Sequence, residues 1–303
     1  MTCLVIGGAG FIGRSVAREL AAQGVPPIVA DLVTTDAAPF RTIDLRRQQT
    51  IREALSGVDC VVHLAWSAVP ASATARPRQD VRQNVLGSLR LFSQCGEAGV
   101  RRVVFVSSGG AVYGAPRALP ISEDHPTVPI SSYGVTKLAS EAYLRILASS
   151  HDFEYVILRP ANAYGEGQPS RQQQGLVAAC LKAALEGHVL EIWGDGSVVR
   201  DYVHVDDIGR ATAMAVIGRT AGHTLNIGTG VGHSVNAIVA LVRSITGREV
   251  HVRRLPARSF DPHDNVLDCR EAERRLGWRA SISLAEGIER QWRALLAESS
   301  GGA

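Results

Sequence analysis

The segment SYGVTK places Tyr133 and Lys137 four residues apart within a long stretch of helical periodicity, so both side chains fall on one helix face. An ammonium beside a phenol lowers the phenol pKa, and such a pair can exchange a proton with a hydroxyl group. The chain contains two lysines, Lys137 and Lys182, so a chance pairing of this kind carries little weight. Upstream, GGAGFIG sets Gly7, Gly10 and Gly13 between an apolar strand and a helix. Glycines there allow a tight turn and close approach to a pyrophosphate, whose charge meets the helix N-terminus. Asp31 ends the second apolar run. A carboxylate at that place accepts hydrogen bonds from ribose hydroxyls and repels a 2′-phosphate, which points to NAD rather than NADP. Asp44 opens DLR after a third short apolar stretch, placed either to bind adenine or to cap the next helix. Ser107 and Ser108, in VSSGGAVYG, stand side by side at the end of a strand.

Continuous apolar runs alternate with helical patterns through the first half of the chain. CLVIGG, PPIVADL, VDCVVHLAW, VRRVVFVSS and EYVILRP read as strands, and RSVARELAAQG, QTIREALSG, VLGSLRLFSQCGEAG and SSYGVTKLASEAYLRILASS as the helices between them. Strands of that character predict an α/β fold, a Rossmann-type doubly wound parallel sheet covered on both faces. Residues 1–165 are expected to form the NAD-binding Rossmann domain, with a segment around 200–230 returning to it. Residues 166–303 are expected to form mainly a smaller, interleaved substrate domain, with helices over GLVAACLKAALEG and LAEGIERQWRALLAE.

Composition narrows the class of partner. With a net charge of +3 over 303 residues and scattered basic side chains, neither nucleic acid nor a membrane surface is expected. The five cysteines are far apart and form no CxxC, so a disulfide framework or metal site is not expected, and a cytoplasmic location is. The opening TCLVIGG has no basic region or long apolar segment, so neither a signal peptide nor a membrane span is expected. His63, His204 and His223 lie in apolar strand-like surroundings, and Asp206 and Asp207 are expected to cap the helix over DIGRATAMAV.

GGAGFIG, Asp31, HLA, NVLGS, VSSGGAVYG, SYGVTK and LRPANAYG follow one another in a recognisable order, continued by IWGDGSVVRDYVHVDD, NIGTG and ERRLGW. On these motifs the chain resembles the extended short-chain dehydrogenase/reductases over nearly its whole length. Within them it looks like a UDP-glucose 4-epimerase-like member of the NAD-dependent nucleotide-sugar epimerase/dehydratase family. The resemblance implies that Tyr133 is the catalytic base and Lys137 its partner, with Ser108 sharing the proton. It implies cofactor contacts from Gly7, Gly10, Phe11, Ile12, Gly13, Asp31, Leu32, Asp44 and Leu45. Leu64, Ala65, Asn84, Ser107, Tyr133, Lys137 and Pro160 complete that set. For the substrate it implies Ser108, Tyr133, Asn162, Trp193 and Arg200, and Arg258 with Asp261 in ARSFD. Counting back from VYG puts Gly109 where the family's hydroxyl is expected, whereas counting from Tyr133 selects Ser108.

Sugar dehydratases of this family carry a Thr-Asp-Glu run before VYG, and the related decarboxylases a glutamate. Here the positions are Gly109, Gly110 and Ala111. No acid is supplied there to expel a C6 hydroxyl, which leaves 4-epimerisation or ketoreduction. The expected reaction is NAD-dependent 4-epimerisation of a UDP-hexose, either UDP-glucose and UDP-galactose or a uronate or acetamido relative, through a 4-keto sugar. The alternatives are a 4-ketoreductase of a dTDP-linked deoxysugar and a binding protein without turnover. Asp31 leans against the first of these and the intact Tyr133, Lys137 and serine pair against the second. The family further implies a homodimer formed through helices around 84–98 and 133–147.

Overall fold

The computed structural model describes residues 1–35, 39–169, 175–256 and 263–300. β1 (Cys3–Ile6) is buried throughout. Cys3 and Val5 enter one apolar core, while Leu4 and Ile6 enter another. Alternate residues of a strand point to opposite faces, so burial on both sides demands an unbroken apolar run.

From there come α1 (Phe11–Ala22), β2 (Pro27–Asp31), β3 (Phe40–Thr42), α2 (Gln48–Leu55) and β4 (Cys60–His63). They are followed by α3 (Pro70–Ala75), α4 (Pro77–Asp80), a π-helical turn over Val81–Val85, and α5 (Leu86–Glu97). Then come β5 (Arg102–Val106), α6 (Gly109–Val112), α7 (Ser132–His151) and β6 (Glu154–Pro160). The second half contains β7 (Asn162–Tyr164), α8 (Leu176–Glu186), β8 (Leu190–Trp193), β9 (Val199–His204), α9 (Val205–Ile217) and β10 (His223–Ile227). It closes with β11 (Gly232–Ser234), α10 (Val235–Thr246), β12 (Val252–Leu255), β13 (Asp264–Asn265), α11 (Arg270–Leu276) and α12 (Leu284–Ser300).

Among the described residues the main sheet has seven parallel strands, ordered β10-β6-β5-β4-β1-β2-β3. This is a doubly wound α/β fold. The chain moves outward from β1 through β2 to β3 and then restarts on the other side of β1 with β4. The crevice beyond the strand ends at that reversal is where such sheets bind ligands. β10 joins the sheet edge beside β6, and α9 packs on α1. A third core, around Val177, Leu181, Ile238, Val242, Ile288 and Trp292, gathers α8, α10 and α12 outside the sheet.

Three local features differ from the sequence expectation or go beyond it. Periodicity suggests no element between Trp66 and Val85, yet α3, α4 and the π-helical turn form there. Pro70 and Pro77 begin α3 and α4, and both helices pack on α7, with Ala73 and Asp80 buried. Asp44 does not cap α2, whose N-cap residue is Arg47. α9 is capped by His204, whose Nδ1 accepts the Asp206 N–H at 3.2 Å; Asp206 and Asp207 sit inside its first turn. Among the described residues no helix is long and apolar enough to cross a membrane.

Candidate active site

A cleft of about 1870 Å³ opens at the reversal between β1 and β4 and extends to β8 and β9. Bare backbone forms its floor. Gly7 adopts φ +83°, and a Cβ there would lie 2.6 Å from the Ala65 nitrogen. A Cβ at Gly13 would come within 2.2 Å of the Gly7 carbonyl oxygen, so side chains are excluded where strand and helix meet. Gly10 begins α1 without a capping side chain, and Phe11, Ile12 and Gly13 line the cleft after it. Asp31 turns back onto this loop: Oδ2 accepts the Ala9 N–H at 3.2 Å and Oδ1 the Leu32 N–H at 2.7 Å. Leu32, Leu45, Leu64, Ala65 and Pro160 border the same space. Asp44 also borders it, and the hydrogen bond from Arg46 Nε at 2.8 Å holds its carboxyl below the usual range. An uncapped helix N-terminus over a glycine floor, with a carboxylate at the next strand end, suits a dinucleotide pyrophosphate and ribose.

Tyr133 and Lys137 enter the cleft from α7, whose start is capped by Ser131 accepting the Gly134 N–H at 3.2 Å. Lys137 Nζ donates to the Val106 carbonyl at 2.8 Å, at the end of β5. The ammonium lies 3.8 Å from the Trp66 ring centroid and 5.8 Å from that of Tyr133. Burial pushes Lys137 down to about 7, while the charges of Glu141 and Asp80 pull it back up. Burial also pushes the Tyr133 phenol up to about 12, with Asp80 adding to the rise and a hydrogen bond from the Ser108 hydroxyl opposing it.

The two serines therefore face different ways. Ser108 reaches the phenol, whereas Ser107 Oγ donates to the buried Glu141 at 2.6 Å. Ser108 leads into α6, where a Cβ on Gly109 would lie 2.5 Å from Leu267 Cδ1 and 2.9 Å from the Arg159 carbonyl oxygen. Position 109 is thus packed against the protein interior and faces away from the cleft. A Cβ on Gly110 would meet Asn162 Oδ1 at 3.6 Å, an ordinary contact. Among the described residues lining the cleft, the carboxylates are Asp31, Asp44 and Glu191, none of them in this turn.

Beneath the pair lie residues that motif reading missed. Glu141, four residues after Lys137, accepts Arg159 Nε at 3.0 Å and Nη2 at 2.6 Å. Burial alone would raise its pKa, but the hydrogen bonds of Arg159 and Ser107 outweigh that and hold the carboxyl below its ordinary range. Arg159 Nη1 continues to the Tyr113 hydroxyl at 2.9 Å, which donates to Asn226 at 2.7 Å. Asn84 accepts the Ser67 N–H at 3.0 Å and donates to Asp80 at 2.7 Å, four residues earlier. The only signal of these in the sequence was spacing: Glu141 from Lys137, Asp80 from Asn84, and Trp66 directly after HLA.

At the far end of the cleft, Asn162 Nδ2 donates to the Asp201 carbonyl at 3.2 Å, and Trp193 ends β8 with 40% of its surface exposed. Arg200, on β9, donates to the carbonyls of Val199 at 2.8 Å and His263 at 3.1 Å. All three line the cleft. Arg258 and Asp261 lie outside the described residues. His63 is buried, paired with Ser88 Oγ at 2.9 Å, and pushed down to about 3 by burial and the Lys137 charge. Among the described residues no group of three or more His, Cys, Asp or Glu side chains is arranged to hold a metal ion.

Residues 3–228 match the NAD dependent epimerase/dehydratase family. The chain belongs to this family. A UDP-glucose 4-epimerase of Mycolicibacterium smegmatis is 34% identical over 301 residues, covering 95% of this chain and 96% of that protein. The structure of UDP-glucose 4-epimerase from Thermotoga maritima with UDP-glucose is similar at a TM-score of 0.94 and 34% identity, covering 99% of this chain and 100% of that one. The Thermus thermophilus UDP-glucose 4-epimerase complex with NAD is similar at a TM-score of 0.92 and 32% identity, covering 98% and 99%. The similarity to these epimerase/dehydratase family members thus takes in the glycine floor, the α7 pair and the β8–β9 end of the cleft together.

Proposed function

We propose that this protein is an NAD-dependent 4-epimerase of a nucleotide-sugar, most simply UDP-glucose and UDP-galactose or a uronate or acetamido relative. One observation carries the reading. The Tyr133 phenol, Ser108 and the buried Lys137 ammonium, 5.8 Å from the phenol ring centroid, line one cleft, and the adjoining turn, Gly109 to Ala111, contains no acid. Such a site transfers one proton and has no group placed to expel a hydroxyl.

Gly7, Gly10 and Gly13 would hold the pyrophosphate of NAD, Asp31 the adenosine ribose, Asp44 the adenine, and Lys137 the nicotinamide ribose. Leu32, Leu45, Leu64, Ala65 and Pro160 would border it, with Phe11 and Ile12 beside the pyrophosphate. Ser107 would do so through its backbone, because its hydroxyl is committed to Glu141. Asn84 would act on the cofactor side through the Ser67 loop. When bound, NAD would supply reversible hydride transfer at C4 of the sugar, with no net consumption of cofactor. Tyr133 takes the O4 proton and gives it back, the Lys137 charge favours the phenolate, and Ser108 steadies the oxygen between them. Arg200 supports the substrate diphosphate, since a guanidinium fork matches phosphate oxygens and stays charged. Asn162 would face the sugar and Trp193 the base. Arg258 and Asp261 are included from their motif alone.

In this scheme residues 1–165, with the segment around 200–230, serve the cofactor, and residues 166–303 mainly serve the substrate. A reducing cytoplasm suits the five free thiols. A homodimer is included because Val135, Tyr143 and Ile146 form an exposed apolar stripe on α7.

The test is direct. Purified protein given UDP-glucose without added cofactor should form UDP-galactose, read by NMR, and should release NAD on denaturation. Tyr133→Phe should lower kcat by about 10²–10⁴-fold while leaving substrate binding intact. A strict requirement for stoichiometric added NADH or NADPH would overturn epimerisation in favour of ketoreduction.

A further inference from the structure

Asp80 ends α4 behind the cleft wall and is 2% exposed. Its Oδ1 accepts Asn84 Nδ2 at 2.7 Å, and its Oδ2 accepts Ser132 Oγ at 3.1 Å and Thr136 Oγ1 at 3.0 Å. Ser132 and Thr136 immediately flank the pair, one before Tyr133 and the other before Lys137. The π-helical turn over Val81–Val85 brings Asn84 back onto Asp80, and Asn84 accepts Ser67 N–H and Oγ–H at 3.0 and 3.1 Å. One carboxylate thus ties the start of α7 to the loop that carries Trp66.

The charged and titratable groups facing the pair come from four elements. Asp80 belongs to α4, Glu141 to α7, His63 to β4, and Arg159, through Glu141, to β6. His63 is buried and neutral, and Glu141 is shared between Arg159 and Arg145. Among the described residues Asp80 has no cation within ion-pair distance and is held by neutral donors. The buried cation that its charge acts on is Lys137, in the same direction as Glu141.

We propose that Asp80 is a positioning residue for the Tyr133–Lys137 pair: its carboxylate clamps the first turns of α7 through Ser132 and Thr136 and, together with Glu141, sets negative charge behind the buried Lys137. This rests on the reading of Tyr133 and Lys137 as the proton-transfer pair. The chain's two lysines make the test simple, because a carbon-13 label at lysine Cε yields one signal from Lys137 and one from the half-exposed Lys182. In the unsubstituted protein the Lys137 signal should titrate near pH 7. In Asp80→Asn its midpoint should fall by about half a unit or more, since a negative charge facing the ammonium is gone. The alkaline limb of kcat/KM should move to lower pH with it, while KM for the UDP-sugar changes little. Asp80→Glu, which keeps the charge, should restore the midpoint. The double variant Ser132→Ala/Thr136→Val keeps the charge and loses the clamp, so kcat should fall at least about tenfold with the midpoint unmoved. An unchanged midpoint in Asp80→Asn, or full kcat in the double variant, overturns the proposal. The titration needs no turnover, so an active Tyr133→Phe enzyme would overturn the epimerase mechanism separately.

Discussion

Lys137 is a side chain whose placement opposes its own chemistry. The residue is 3% exposed, its ammonium lies over an indole ring, and burial holds it down to about 7 against an ordinary 10.5. Between those values the unfolded chain keeps a proton that the folded one releases, so this group's contribution to stability rises with pH through that window. Below about pH 7 both states are charged and the full desolvation cost, of order a few kcal/mol, remains. Lys137→Met should therefore raise the unfolding temperature at neutral pH by several degrees while abolishing turnover. Calorimetry and product NMR check the two halves, and a less stable variant would contradict the account. Tyr133 carries the complementary strain, a phenol held up at about 12 that becomes a usable base only beside positive charge.

At the scale of elements, α7 positions the site and its buried face explains how. Lys137 and Glu141 are four residues apart, so one face presents the ammonium to the cleft and the carboxylate to Arg159 below. Ser107 donates to the same Glu141, which fixes the end of β5 and turns the neighbouring Ser108 toward the phenol. Glu141→Gln should leave Arg159 buried without its charge partner and cost about 3–5 kcal/mol in denaturant unfolding. Because folding depresses the Glu141 pKa, its contribution is present above the unfolded carboxyl range and is lost as pH falls through the folded value. The Gln variant should accordingly show a smaller loss of stability on acidification than the parent. The pair and the serines were legible from motif and spacing. Asp80 and Glu141 were not, because a buried acid is recognised by the partners that fold around it.

For the whole molecule, the sheet delivers its working groups to one place. β1, β4 and β5 all end at the cleft, and β8 and β9 close its other side. On the outside, Val135, Tyr143 and Ile146 are 51, 40 and 58% exposed along one stripe of α7, with Leu86 of α5 at 39%. An apolar stripe on packed helices suits the homodimer proposed above, in which two copies of the chain would meet there. Ile146→Glu should convert a dimer to monomers in sedimentation analysis, and a lower rate would follow because the same helix carries Tyr133. A parent protein that already sediments as a monomer would contradict this assembly.

Alternating apolar runs and helical stretches determined the doubly wound sheet on their own, because burial on both faces leaves a strand no other composition. The glycine loop, Asp31 and the Tyr133–Lys137 spacing likewise singled out the places proposed here for a dinucleotide and a proton-transfer pair. Only the tertiary structure shows that the Ser107 hydroxyl is committed to Glu141, which leaves Ser108 to the cleft, and that Gly109 packs on Leu267 and Arg159. It alone also revealed the helices between Trp66 and Val85 and the acid at their centre. Their polarity pattern is weak, and packing on α7 supplies the order that periodicity lacks.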